Sequence, residues 1–210
     1  MLGTHDLPLF VASGFLLNIT PGADSLYIVT RSVTQGVRAG VAAALGIAVG
    51  CYVHILAAAL GLSALLAASA SAFTVIKLIG AAYLVYIGVS MLHSRPASPL
   101  HTEGAITAVP WRTVFAQGFL TNVLNPKVAL FFLAFVPQFI DPATPDKALA
   151  FIFLGCIFNV NGTLWCLFLA WSAARVGALG AGRRDVTWLN RGVGALFILL
   201  GLRLALSEHH

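Results

Sequence analysis

Six apolar runs, over residues 7–30, 40–66, 72–93, 113–138, 147–174 and 187–206, make up most of the chain. They are rich in Ala, Leu, Gly and Val and lack a strict alternation of apolar and polar positions, so they predict helices. A membrane barrel would alternate in segments of about ten residues. Each run is close to or beyond the roughly 20 residues that carry a helix across a bilayer. Connections are short except over 94–112, where Pro96, Pro99 and Pro110 mark a linker.

Composition strengthens that pattern. Of 210 residues, 59% are hydrophobic and 9% charged, against about 25% charged in a soluble domain. A water-soluble globule with so little charge could not cover its surface. The net charge of +5 does not mark a nucleic-acid binder, because the basic residues fall between the apolar runs. Cys51, Cys156 and Cys166 lie inside runs and form no C-x-x-C pair, so they read as small hydrophobes. No Lys or Arg precedes the first run, so the start does not read as a cleaved signal.

The loop charges give an orientation. Arg31, Arg38, Arg95, Arg112, Arg175, Arg183, Arg184 and Arg191 flank the first, third and fifth connections. The opposite side has Lys77, Lys147 and Arg203. The Arg-rich side is expected to be cytoplasmic, with both termini outside.

An internal repeat is visible. Gly14-Phe15-Leu16-Leu17-Asn18 recurs as Gly118-Phe119-Leu120-Thr121-Asn122, and Thr20-Pro21 is answered by Asn125-Pro126. Lys77-x-x-Gly80-Ala81 matches Arg191-x-x-Gly194-Ala195, and Leu45-Gly46 matches Leu154-Gly155. Three helices is an odd number, so the copies are expected to be inverted, a recurring transporter plan. The expected fold is an all-α membrane protein of six transmembrane helices in two inverted three-helix repeats. These cover about 1–94 and 113–210 of a single transmembrane domain, joined by a linker over about 95–112.

The prolines point to the chemistry. Pro21 and Pro126 each lie deep in a run. Proline cannot donate the helical hydrogen bond and clashes with the preceding turn. Thr or Asn followed by Pro also matches a helix start, an N-cap and then proline at the first position. Helices 1 and 4 are therefore expected to be broken at Thr20-Pro21-Gly22 and Asn125-Pro126. Exposed N–H groups there would suit an anion. Packing kinks without further purpose are the simpler alternative.

Among seven acids, Asp24 alone lies deep within an apolar run, where a charge is costly and usually functional. Lys127 lies in the first turn after Asn125. A zwitterion could lie between them, its carboxylate toward Lys127 and the helix starts, its ammonium toward Asp24. Asp24 is also a candidate carrier of a coupling proton. The simpler alternatives are an Asp24–Lys127 ion pair, or Asp24 capping its own half-helix. His54 is a further candidate, as the one histidine in the interior of a run. Asn18 and Asn122 are candidates to orient the unwound backbone. Asn159 and Asn161 suit interhelical hydrogen bonding, and Gly46-x-x-x-Gly50 permits close helix packing. No G-x-S-x-G elbow, Walker loop or metal-ligand cluster is present, so no enzyme activity, cofactor or metal is expected.

The motifs Asn18-Ile19-Thr20-Pro21-Gly22-Ala23-Asp24 and Asn122-Val123-Leu124-Asn125-Pro126-Lys127 resemble those of the LysE/RhtB family of bacterial amino-acid exporters. Gly46, Gly50, His54 and Gly61-Leu62, and Lys77-Leu78-Ile79-Gly80-Ala81-Ala82-Tyr83-Leu84, extend the resemblance over nearly the whole chain. Ala23 departs from it, since members often have a second proline there. Asn161 departs too, since members often carry an acid nearby. The resemblance implies a secondary transporter of the bacterial cytoplasmic (inner) membrane that exports amino acids or small derivatives, driven by protons. The expected partners are an amino acid, protons and the bilayer, with no nucleic acid and a possible homodimer. The rival readings are a cation or metal exporter, a hydrolase using Ser25 and His54, and a membrane subunit that does not itself transport.

Overall fold

The computed structural model describes residues 2–62 and 109–178, together with isolated positions 75, 78, 82, 85, 86, 89, 198 and 202. The third and sixth apolar runs, most of the linker, and with them the count of six helices, lie outside the described residues. The described chain is helical, apart from one isolated bridge between Thr4 and Ile140.

The first run is two helices, α1 (Leu7–Ile19) and α2 (Ala23–Gln35). The second run is α3 (Val37–Ala57), which continues through a π-helical turn over Ala58–Leu62. The fourth run is α4 (Trp111–Val123) and α5 (Pro126–Leu130), followed by a π-helical turn (Phe131–Phe135) and a 3-10 turn (Val136–Phe139). The fifth is α6 (Lys147–Ala178). Helix α2 runs five residues past the expected end of its run, because the polar stretch Arg31–Gln35 still closes helical bonds up to Gly36. Gly36 ends it with φ 81°, a conformation that favours glycine.

Two stretches are long and apolar enough to cross a membrane, Val37–Gly61 and Lys147–Arg175. A third qualifies if Trp111–Val123 and Pro126–Phe139, bent by 44°, form one span. Helix α1 is apolar but shorter. These helices make the chain a multi-pass membrane protein.

The two long helices pack closely against others. A methyl group at Gly46 would collide with the backbone carbonyl of Phe115, and one at Gly50 would sit 2.7 Å from that of Phe119. On the facing helix, a methyl at Gly118 would sit 2.5 Å from the Ala43 carbonyl. The glycines therefore bring α3 and α4 together backbone to backbone, as the Gly46-x-x-x-Gly50 spacing allows. Inside lipid, van der Waals packing of this kind replaces the hydrophobic driving force. At one end of the molecule Phe10, Phe131, Phe132, Phe135, Phe139 and Phe158 fill a second packed region. The Phe131 and Phe158 rings stack with centroids 4.6 Å apart. The N-terminal strand-like segment is tied to this end: His5 N donates to the Phe139 carbonyl and Asp141 N to the Gly3 carbonyl.

Candidate functional site

The chain between α1 and α2, Thr20-Pro21-Gly22, is not built as the sequence suggests. Thr20 precedes proline, which pushes it to extended backbone; its φ and ψ are −60° and 123°. It therefore closes α1 instead of opening α2. Its hydroxyl donates to the Leu16 carbonyl at 2.7 Å, and its N–H reaches the same turn. Gly22 takes the N-cap position of α2, with no side-chain cap, and Pro21 lies outside the helix. Thr20 is thus not the N-cap, and Pro21 is not the first helical residue.

The link between α4 and α5 follows local rules more closely. Asn125 is the N-cap, its Oδ1 accepting from Lys127 N at 3.0 Å, and Pro126 stands at the start of α5. The two helix starts therefore differ. That of α5 is side-chain capped, whereas that of α2 leaves its first N–H groups without a side-chain partner.

The two links meet. Asn122 Nδ2 donates to Asp24 Oδ2 at 2.8 Å, and Asn125 Nδ2 donates to the same oxygen at 3.1 Å. In the other direction, Lys127 Nζ donates to the Thr20 carbonyl at 2.8 Å. Each side chain thus crosses to the other link. Asp24 and Lys127 form no ion pair, and Asp24 does not cap α2. Both simpler alternatives for Asp24 are therefore overturned. The amides of Asn122 and Asn125 hold one oxygen of the carboxylate, and the Thr20 carbonyl holds the lysine away from it.

Between these groups lies a cavity of about 40 Å³, enough for about three water molecules. Asn18, Gly22, Asp24, Asn122, Asn125 and Lys127 line it, so six of the residues singled out in the sequence share one space. Asp24 Oδ1, Asn122 Oδ1 and Asn18 Nδ2 are buried there without a hydrogen-bond partner. Gly22 leaves the approach to Lys127 open: a methyl on it would sit 3.6 Å from Nζ.

Other expected residues fall elsewhere. His54 is outside the cavity lining; its Nε2 donates to the Asn122 carbonyl at 2.9 Å, and its ring stacks on Phe132. It holds the end of α4 that presents Asn122. Asn161 is half-buried and does not line the cavity. Asn159 makes the interhelical bond expected of it, Nδ2 donating to the Ala48 carbonyl at 3.1 Å, and it also lines the cavity.

Sequence reasoning missed Ser25, Cys51, Thr163 and Cys166 as lining residues. It also missed a clasp one and two turns along α2 from Asp24. Tyr27 Oη and Arg31 Nη2 both donate to Gln117 Oε1, at 3.0 and 2.8 Å, and the Arg31 guanidinium lies over the Tyr27 ring. Tyr27 and Arg31 are four apart on a helix, but nothing local pairs them with Gln117.

A bundle of apolar helices around a small cavity that holds Asp24, Lys127 and several asparagine amides defines a polytopic membrane protein with charged groups inside it. The model of the LysE type translocator family matches residues 15–208, and the chain belongs to that family. It is therefore a translocator, not an enzyme. It is 35% identical over 208 residues to an uncharacterised membrane protein of Pseudomonas aeruginosa, covering 97% of this chain and 96% of the relative. It is 32% identical over 200 residues to the homoserine/homoserine lactone efflux protein of Salmonella typhi, covering 95% and 96%. The leucine efflux protein of Salmonella choleraesuis is 27% identical over 197 residues, covering 93% and 92%. No solved structure matches significantly.

Proposed function

We propose that the protein exports amino acids or small amino-acid derivatives across the bacterial cytoplasmic membrane by proton antiport. The observation that carries this reading is the pair of opposite charges that line one cavity without forming a direct ion pair. Asp24 keeps a buried oxygen without a partner, and Lys127, held by a single carbonyl acceptor, has two further N–H donors. A zwitterion fits that arrangement. Its ammonium meets Asp24 Oδ1 and Asn122 Oδ1. Its carboxylate meets Lys127 and the uncapped start of α2, beside Gly22. When substrate is absent, Asp24 takes the coupling proton. The names of the efflux relatives in Salmonella support an amino-acid cargo.

The architecture in this reading is two inverted three-helix repeats, with the first and fourth spans broken at Pro21 and Pro126. Reciprocal packing supports it. Gly118, on the first helix of the second half, lies against Ala43 on the second helix of the first half. Gly14, on the first helix of the first half, lies against Phe158 on the second helix of the second half. Alternating access then rocks one half against the other around a fixed site. The Arg-rich loops face the cytoplasm and both termini face outward, which suits the tie between Gly3 and Asp141 at one end.

The test is counterflow of labelled amino acids into proteoliposomes containing the purified protein alone. Exchange of an amino acid supports the reading. Exchange of metal cations, or no exchange by folded protein, would favour a cation exporter or a subunit that needs a partner.

A further inference from the structure

The bundle is closed differently on the two sides of the cavity. At the aromatic end, Phe10 and Phe139 meet edge to face with ring centroids 5.2 Å apart, and backbone bonds tie His5 to Phe139 and Asp141 to Gly3. On the other side, toward Gly36, side chains join α2 to α4. Tyr27 Oη shares its proton between the Val114 carbonyl and Gln117 Oε1, each 3.0 Å away. Arg31 Nη2 donates to the same Gln117 oxygen at 2.8 Å. One turn further along α2, Gln35 Oε1 accepts from Val109 N at 3.2 Å. Asp24 and Asn122 line the cavity; Tyr27 follows the first by one helical turn, and Gln117 precedes the second on α4. The clasp therefore sits roughly 5–8 Å beyond the cavity lining, at about 1.5 Å per residue.

The backbone around the clasp is held closely. A methyl at Gly40 would collide with Ser32 Oγ, so α2 is seated on α3, and Gly46, Gly50 and Gly118 seat α3 on α4. The parts free to move are the side chains. Gln117 is exposed, so it can rotate without displacing packed atoms, and Tyr27 and Arg31 are half-buried. Arg31 meets a neutral amide here and has no carboxylate within ion-pair distance among the described residues. A carboxylate in place of that amide would hold the arginine roughly twice as strongly. A latch built on glutamine closes and still releases.

We propose that Tyr27, Arg31 and Gln117 are the gate between the cavity and the Arg-rich side of the membrane, opened when Gln117 swings away from Tyr27 and Arg31. The inference rests on the reading of the cavity as a transport site, which needs a path to that side.

Native thiols report the test. Cys166 lines the cavity and is half-buried, whereas Cys156 is half-buried outside the lining and reports unfolding. The readout is the rate at which a small membrane-impermeant methanethiosulfonate modifies each thiol, located by mass spectrometry. The full-length protein is labelled in sealed vesicles of each orientation, without amino acid. Labelling follows the population of the open form. From the side that carries Val37, Gln117→Ala is expected to raise the rate at Cys166 by about tenfold, the effect of losing one hydrogen bond to a charged group. Gln117→Glu keeps the acceptor and sets a charge opposite Arg31, and is expected to lower that rate by a similar factor. Cys156, and labelling from the opposite side, are expected to stay at wild-type rates. Opposite shifts from two substitutions at one position cannot come from misfolding. Unchanged Cys166 labelling in both variants, a shift in the same direction in both, or equal shifts from both sides of the membrane would overturn the gate. Access is read without amino acid, so failure of the wild type to exchange any amino acid would count against the export reading alone.

Discussion

Asn122 Nδ2 donates to Asp24 Oδ2 at 2.8 Å, joining the end of α4 to the first turn of α2 across 98 positions of sequence. That bond, with its neighbour from Asn125, fixes one oxygen of a carboxylate and leaves the other buried and free. A hydrogen bond to a charged group contributes about 1.5–3 kcal/mol. Replacing Asn122 by alanine should therefore weaken substrate binding by about tenfold or more, while Asn125 still holds the carboxylate. Substrate concentration dependence of counterflow measures this. An unchanged dependence would remove Asn122 from the site.

Lys127 is held from the other direction by the Thr20 carbonyl. Lys127→Ala should impair amino acids more than the matching amino-acid amides, which lack the carboxylate. Counterflow of both members of each pair checks it. Equal loss on both would make the lysine a strut between the two links.

Close packing of α3 on α4 rests on glycine. Gly46→Val should disrupt it, because the added carbons collide with the Phe115 carbonyl, a backbone atom that cannot rotate away. Overpacking of this kind costs about 1–3 kcal/mol or more, so the variant should melt lower in detergent and accumulate less in the membrane. Gly61→Ala is the control, since nothing among the described residues lies within 4 Å of the added methyl; it should melt like the wild type.

The orientation has its own test. A cysteine at Val37, exposed at the start of α3, should be labelled by an impermeant maleimide only from the cytoplasmic side. One at Ala143, exposed in the loop before α6, should be labelled only from outside. The reverse pattern would invert the topology.

The parts of the site that were legible in the sequence are those set by near neighbours or by cost. Asn125-Pro126 reads correctly as a cap and first turn because both rules act within three residues. Asp24 and Lys127 stand out because charge is rare in apolar runs. Thr20 misleads because two local rules compete there: its hydroxyl suits an N-cap, but the following proline extends its backbone and turns it back to α1. The contribution of α6 was hidden for another reason. That helix is apolar on nearly every face, so no periodicity separates Asn159, Thr163 and Cys166, which line the cavity, from Asn161, which does not. The Tyr27–Arg31–Gln117 clasp depends on two helices meeting 86 and more positions apart, and no local pattern records that.

The central claim is that Asp24 couples export to protons, and one measurement meets it directly. Wild type and Asp24→Asn, each purified and reconstituted alone, are assayed for efflux of an amino acid with and without an imposed pH gradient. The account predicts gradient-driven efflux in the wild type and its loss in Asp24→Asn, in protein that melts as the wild type does. Gradient-driven efflux at the wild-type rate in Asp24→Asn would contradict it.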